Sequence, residues 1–199
     1  MSKSQFIKLS GWAFILGSFA FITILGGSDS IAFPGSVISA ILLAAGMLSL
    51  RAGYGETVSR FGRNILLMGV IGMVLWYLVI ASLAVMNNSG ILHVTQAQGE
   101  RLWIVIFGGP AVVLLALTLF GLAALGSKPM ARLNWLPVFA GIWYPVFYFF
   151  LAGYLFTHNG VYPGQYQIAF TIMHLIQFLA LCALGSILVT DASEKMVTA

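Results

Sequence analysis

His174 stands in Thr-Ile-Met-His-Leu-Ile-Gln-Phe, residues 171 to 178, inside an apolar run that extends from Gln167 to Thr190. It is the one readily ionisable side chain within the long apolar cores of this chain. An imidazole so placed can be an axial ligand to the metal of a heme or chlorophyll, or can donate a hydrogen bond to a quinone carbonyl. The plainer alternative is a histidine bonded to a carbonyl or hydroxyl of a neighbouring helix, tying the two together. At about 100° per residue, Gln167, Thr171, His174 and Phe178 share one helix face, with Cys182 at its edge and Gln177 one turn beyond His174. A partly polar stripe of this kind is expected to face other helices and not lipid. A heme held by two histidines of this chain is not expected, because His93 and His158 fall at span ends or loops. A pigment with a single axial ligand, such as chlorophyll or bacteriochlorophyll, needs only His174.

The second group of chemistry-bearing residues is the aromatic run Gly-Ile-Trp-Tyr-Pro-Val-Phe-Tyr-Phe-Phe, residues 141 to 150. Tyr144 and Tyr148 are one helical turn apart, and Trp143 lies beside them. Pro145 removes a backbone donor in mid-run and is expected to kink the helix. Gly108, Gly109 and Pro110 are expected to do the same in the preceding run. Two bent neighbours can open a pocket for a flat or long apolar ligand, such as a quinone, a carotenoid or a lipid tail, with tyrosine hydroxyls as polar handles. Ordinary aromatic packing is the alternative. The candidate ligand residues are therefore His174, Thr171, Gln167, Gln177, Tyr144, Tyr148, Trp143, Pro145 and Pro110. Their expected arrangement has His174 facing inward and meeting Tyr144, Tyr148 or a proline-freed carbonyl of the fourth or fifth helix.

Other chemistries lack their residues. No Asp, Glu, Lys or Arg lies in the middle of any run, which argues against proton relays, ion-coupled pumps and voltage sensors. No phosphate-binding Gly-rich loop, HExxH, GxSxG or CxxC pattern is present. His93 and His158, with Asp29 and Glu100, offer metal donors on one side, but their spacing matches no metal pattern, so no metal site is expected there.

The elements that must position these residues follow from composition. Of 199 residues, 60% are hydrophobic and only 7% charged, against roughly 25% charged in soluble domains. So little charge cannot cover a globule with water-facing groups, and lipid is the expected solvent. Crossing a bilayer takes about 20 apolar residues in a helix. Six runs qualify or nearly so: Phe6–Gly26, Pro34–Leu50, Ile65–Met86, Trp103–Gly126, Leu136–Phe156 and Gln167–Thr190. The first follows two lysines, yet it is too long for a signal peptide and lacks a clear cleavage site, so it is read as a retained helix. Pro34 is expected in the first turn of the second helix, where no N–H is needed.

The connections are short and polar, so residues 1–190 form one helical transmembrane domain, and 191–199 a short loose cytoplasmic tail. With the N-terminus inside, Lys3, Lys8, Arg51, Arg60, Arg63, Lys128, Arg132 and Lys195 face the cytoplasm, and only Arg101 faces out. The net charge of +4 thus reflects membrane orientation, and no nucleic-acid partner is expected. The basic loop after the second run is read as a topology signal, with anionic headgroups as the alternative partner. Small residues such as Ala13, Gly17, Ala20, Ala40, Ala44, Gly69 and Gly72 allow close helix contact, within the chain or with other subunits. The ends of the third and fifth runs resemble each other faintly, as a duplicated hairpin (runs two and three copied as four and five) would give, though composition alone is the favoured account.

The fold expected is an all-α bundle of six transmembrane helices in a membrane such as the bacterial cytoplasmic one, with both termini inside. The expected role is non-catalytic: a subunit of a larger membrane assembly or a homo-oligomer, or a binder of an apolar ligand (lipid, quinone or pigment) between the last three helices. A small transporter of a neutral or amphipathic solute is one alternative. A redox or pigment-binding subunit using His174 is another.

Overall fold

The computed structural model of the chain describes residues 2–26, 29–90, 108–130, 133–157 and 164–197. Among them the chain is all-helical. The elements are α1 (Lys3–Ile22), a 3-10 turn (Thr23–Gly26), α2 (Asp29–Tyr54), α3 (Arg60–Asn88), α4 (Gly108–Ser127), α5 (Leu136–Thr157) and α6 (Gly164–Val197). Five contain a stretch long and apolar enough to cross a membrane: Lys3–Leu25, Ile31–Tyr54, Arg60–Asn88, Gly108–Ser127 and Ile168–Ser193. The apolar stretch of α5, Leu136–Leu151, is shorter.

Local chemistry sets the ends. The Ser2 hydroxyl accepts from the Gln5 N–H (3.3 Å), while the Gln5 side-chain Oε1 accepts from the Ser2 N–H (2.8 Å), a reciprocal cap that starts α1. Ser59 caps α3 through the Gly62 N–H at 3.2 Å. Gly90, at φ +73°, ends α3 in a left-handed conformation that a side chain would resist. Between α4 and α5, the Asn134 side-chain amide accepts from the Met130 N–H and donates to the Met130 carbonyl.

Two boundaries differ from the sequence reading. α2 begins at Asp29, so Pro34 lies inside the helix and not in its first turn. Its ring is on the exposed side, so the ladder bond it removes is lost on the outer face of the bundle. α6 does not stop at Thr190 but continues to Val197, and Asp191 and Ala192 are buried. Residues 191 to 197 therefore extend the last helix instead of forming a loose tail.

α1 packs on α2 and α6, α2 also on α3 and α4, and α4 on α3 and α5, while α5 packs on α6. These contacts close α1, α2, α4, α5 and α6 into a ring, with α3 on the seam between α2 and α4. Helices consecutive in the chain run antiparallel, as do α1 and α6, whereas α2 and α4 run parallel. Ile7 meets Gly53 and Phe14 meets Gly46; Gly69 meets Ala116 and Trp76 meets Gly108; Ala140 and Tyr144 meet Gln177. The start of α1, the end of α2, the start of α3, the end of α4, the start of α5 and the end of α6 consequently share one end of the bundle. Lys3, Lys8, Arg51, Arg60, Arg63 and Lys128 gather there.

A close backbone crossing joins the first helix to the last. A Cβ on Gly11 would come within 2.5 Å of the Gly185 carbonyl oxygen, and one on Gly185 within 2.5 Å of the Gly11 oxygen. Only two glycines allow backbones this close. One side of this crossing carries the Ser18–Cys182 contact at 3.0 Å. Gly17, Gly69 and Gly72, expected from the sequence to mediate close contacts, pack against Leu43, Ala116 and Val112 within the chain.

Candidate ligand site around His174

α6 carries His174 and Gln177 into the ring, both with 0% of their surface exposed. Thr171 is exposed, because the buried stripe of α6 runs through His174, Gln177, Leu181, Leu184 and Leu188. This stripe is rotated away from the polar stripe that the sequence suggests. Gln167 lies in the first turns of the same helix, with its side chain outside the described residues. His93 and His158, Glu100, and Arg101 also lie outside them.

Gln177 joins α6 to α5. Its Nε2 donates to the Ala140 carbonyl oxygen, and its Oε1 accepts from the Tyr144 N–H at 3.1 Å. Ala140 and Tyr144 are the carbonyl and amide that a regular helix pairs with each other. The side-chain amide of α6 thus enters the backbone ladder of α5, one residue before buried Pro145 leaves the Gly141 carbonyl without its usual donor. At Gly141 the backbone of α5 lies against α4, where an added Cβ would be 2.4 Å from the Thr118 hydroxyl.

The imidazole of His174 is enclosed by rings. Phe21 of α1 stacks on it at 4.9 Å with planes 17° apart. Tyr144 of α5 presents an edge at 5.2 Å, and Phe170 lies one turn back at 4.0 Å. Nδ1 lies 2.8 Å from the Phe170 carbonyl oxygen. The polar partner is therefore a carbonyl of its own helix, and the contacts from other helices are aromatic. That corrects the expectation of a hydrogen bond from α4 or α5. The correction fixes the tautomer. A carbonyl oxygen only accepts, so Nδ1 carries the proton, and a neutral ring then has a lone pair on Nε2. Nε2 is buried and has no hydrogen-bond partner. It can accept a hydrogen bond or hold a metal, but as a neutral ring it has no proton to give a quinone carbonyl. An N–H donated to a backbone carbonyl opposite an open nitrogen is also how metal-ligating histidines are oriented. Among the described residues no three His, Cys, Asp or Glu side chains come together as a metal site.

Tyr144 stacks on Tyr148 at 6.1 Å, and Phe21 meets Tyr144 edge-on at 4.7 Å. The row continues onto α3 and α4. A Cβ on Gly108 would lie 2.1 Å from the Trp76 ring and 2.8 Å from the Tyr148 hydroxyl, and one on Gly109 would lie 2.5 Å from Tyr77. The glycine pair that reads in sequence as a kink signal is thus a bare landing for three aromatic side chains. Pro110 follows, buried in the first described turn of α4. Tyr77 reaches the Ser36 carbonyl of α2 at 3.5 Å. The hydroxyls of Ser36 and Ser39 are buried without a hydrogen-bond partner.

No family model, curated protein or solved structure matches this chain.

The structure brings His174, Gln177, Tyr144, Pro145 and Tyr148 together. Trp143 belongs to a different row, Trp135–Phe139–Trp143, with ring separations of 5.7 and 5.5 Å. Phe21, Tyr77, Ser36 and Ser39 are the contributors that sequence reasoning missed. The Ser-x-x-Ser spacing of α2, a hydroxyl stripe one turn long, was the signal available for the serines. Phe21 carries none, because it is one of several equivalent apolar residues in α1.

Proposed function

We propose that this chain is an integral membrane protein whose helices cross the bilayer with both termini on the cytoplasmic side. We further propose a non-catalytic role, in which it holds an apolar ligand with a hydrogen-bond-donating or metal-bearing head against His174. Support for the membrane reading is the outward face of the helices. Leu16, Phe19, Leu78, Val146, Phe150 and Leu179 are all more than half exposed, which water would penalise and lipid would not. Orientation is supported by the basic residues gathered at one end of the bundle.

The observation that carries the ligand reading is the buried, unpartnered Nε2 of His174. Leaving such a group unpaired costs about 1–3 kcal/mol, and a bound donor or metal recovers that cost. The site takes Phe21 from α1, so it lies among α1, α5 and α6 and is not confined to the last three helices. Purification in mild detergent followed by mass spectrometry and absorbance spectroscopy tests the reading. A ligand should co-purify with the native chain and with His174→Gln, whose carbonyl can accept, if the head is a hydrogen-bond donor. It should be lost from His174→Leu. Loss from both variants, together with an absorbance band in the native protein, identifies a metal-bearing pigment. Wild-type protein that carries no ligand refutes the proposal.

A second reading, a subunit of a larger membrane assembly, is supported by α3, the least buried of the five spans. Its exposed Val74, Leu75, Leu78 and Val79 offer a face to another membrane chain. Co-purification of a stoichiometric partner from native membranes would favour this reading.

A further inference from the structure

The basic end of the bundle contains two arginines that orientation alone does not explain. Arg51 is in the last turn of α2 and Arg63 in the first turn of α3. The connecting turn lays the stem of Arg63 against Gly55, which is itself bonded to the backbone of Arg51. Gly55 donates its N–H to the Arg51 carbonyl at 2.8 Å, and a Cβ on Gly55 would sit 3.1 Å from the Arg63 side chain. The Nε atoms of both are buried, and neither has a hydrogen-bond partner. Lys3 and Glu56 form an ion pair at this end. The Lys3 ammonium hydrogen-bonds Glu56 and holds it below the usual carboxylate range, with Arg63 adding a smaller pull. Asp191 is buried near Tyr54. No acidic side chain occupies the first turn of α3, so Arg60 and Arg63 stand at the positive end of its dipole, where anions are favoured and cations are not.

A signal for orientation needs charge on the correct side but gains nothing from burying a guanidinium Nε without an acceptor. An anion between Arg51 and Arg63 would satisfy both Nε atoms and relieve the repulsion at the start of α3. We infer that Arg51 and Arg63 form a site for the phosphodiester of an anionic phospholipid headgroup, with Arg60 at its rim. The lipid source is chosen because both residues lie at the ends of candidate spans, Ile31–Tyr54 and Arg60–Asn88, where headgroups sit. This inference rests on the membrane reading above.

The test uses the full chain purified from the membrane fraction, with lipid binding followed by native mass spectrometry in titrations with phosphatidylglycerol, phosphatidylcholine and inorganic phosphate. Phosphatidylglycerol should bind preferentially, and millimolar inorganic phosphate should not displace it. Arg51→Gln and Arg63→Gln should each weaken binding about fivefold, and together about thirtyfold. Lys8→Gln, which removes a charge from the same end, should leave binding unchanged. Arg51→Lys and Arg63→Lys keep the charge but lose the Nε donor, and should weaken binding while melting like the native chain. Equal binding of phosphatidylcholine, an equal loss in Lys8→Gln, or unimpaired binding in the lysine variants would overturn the site. Displacement by inorganic phosphate would overturn the lipid assignment. A chain recovered in the soluble fraction would overturn the membrane reading itself, a failure distinct from a membrane-bound chain with no lipid preference.

Discussion

Gln177→Leu removes the amide that enters the α5 ladder without changing the length of the side chain much. Two hydrogen bonds are lost, one to the Ala140 carbonyl and one from the Tyr144 N–H. In the proposed bilayer setting, side-chain hydrogen bonds average about 0.6 kcal/mol each and reach about 1.7, so the pair contributes about 1–3 kcal/mol. Leucine recovers little, because the surroundings are already apolar. The expected loss is therefore about 1–2 kcal/mol, read from unfolding of purified protein in mixed micelles of increasing denaturing detergent. The reasoning has a second check. If the amide compensates for the turn weakened by Pro145, its contribution should shrink once Pro145→Ala restores the N–H at that position. A double-mutant cycle between Gln177→Leu and Pro145→Ala should then show a coupling of about 0.5–1 kcal/mol. A loss below about 0.3 kcal/mol in the single variant would show that Ala140 and Tyr144 simply pair with each other. That result, or additive behaviour in the cycle, would refute the argument.

Gly185→Leu should drive the Gly11 crossing apart and destabilise the fold by about 2 kcal/mol or more, whereas Gly126→Ala, with nothing within 4 Å of the added carbon, should be neutral; comparative unfolding curves decide. Pro145→Ala alone should leave the protein folded, and weakened ligand retention in that variant would show that the bend shapes the site. Glu56 is held low by Lys3, so its stabilising pair is intact above the ordinary carboxylate range and is lost as pH falls through the depressed value. The melting difference between the native chain and Glu56→Gln should accordingly shrink on acidification below about pH 4, and an unchanged difference would show the exposed pair contributes nothing. Cysteines placed at Ser59 or Ser127 should be shielded from an impermeant thiol reagent outside intact cells and those at Ser89 or Asn159 labelled, and the reverse pattern would invert the proposed orientation.

Much of the helical layout was legible because each helix leaves a long apolar run between polar connections. The errors came at boundaries, where hydropathy and backbone conformation part. Pro34 was expected in a first turn, yet a proline on the exposed face can be carried inside a helix. Thr190 closed the last run only because polar residues follow it; Asp191 and Ala192 are helical and buried all the same. At the site, the inward direction of His174 and the neighbouring Tyr144 followed from helical spacing. The imidazole's bond to the Phe170 carbonyl did not, since a ring four residues on can always choose its own backbone over another helix. Nor could Phe21 be anticipated. Its contact with His174 joins the first helix to the last, a tertiary choice that no local pattern records. The Gly108–Gly109 pair was seen, but its use as a landing for Trp76, Tyr77 and Tyr148 depends on neighbours that the spacing does not name.

The Gly11–Gly185 clasp also sets an order of events during synthesis. α1 can pair with α2 as soon as the following turn has formed, but its other face waits for α6. At about 5–20 residues per second, the ribosome needs roughly eight to thirty seconds between releasing Phe21 and releasing His174. Through that interval the Gly11 groove of α1 has no helix of its own chain to cover it, although Tyr144 of α5 can already meet Phe21. The closing of the ring and the assembly of the histidine site are therefore one late step. Any factor that shields the nascent chain has to hold this one face of its first helix until the last helix arrives.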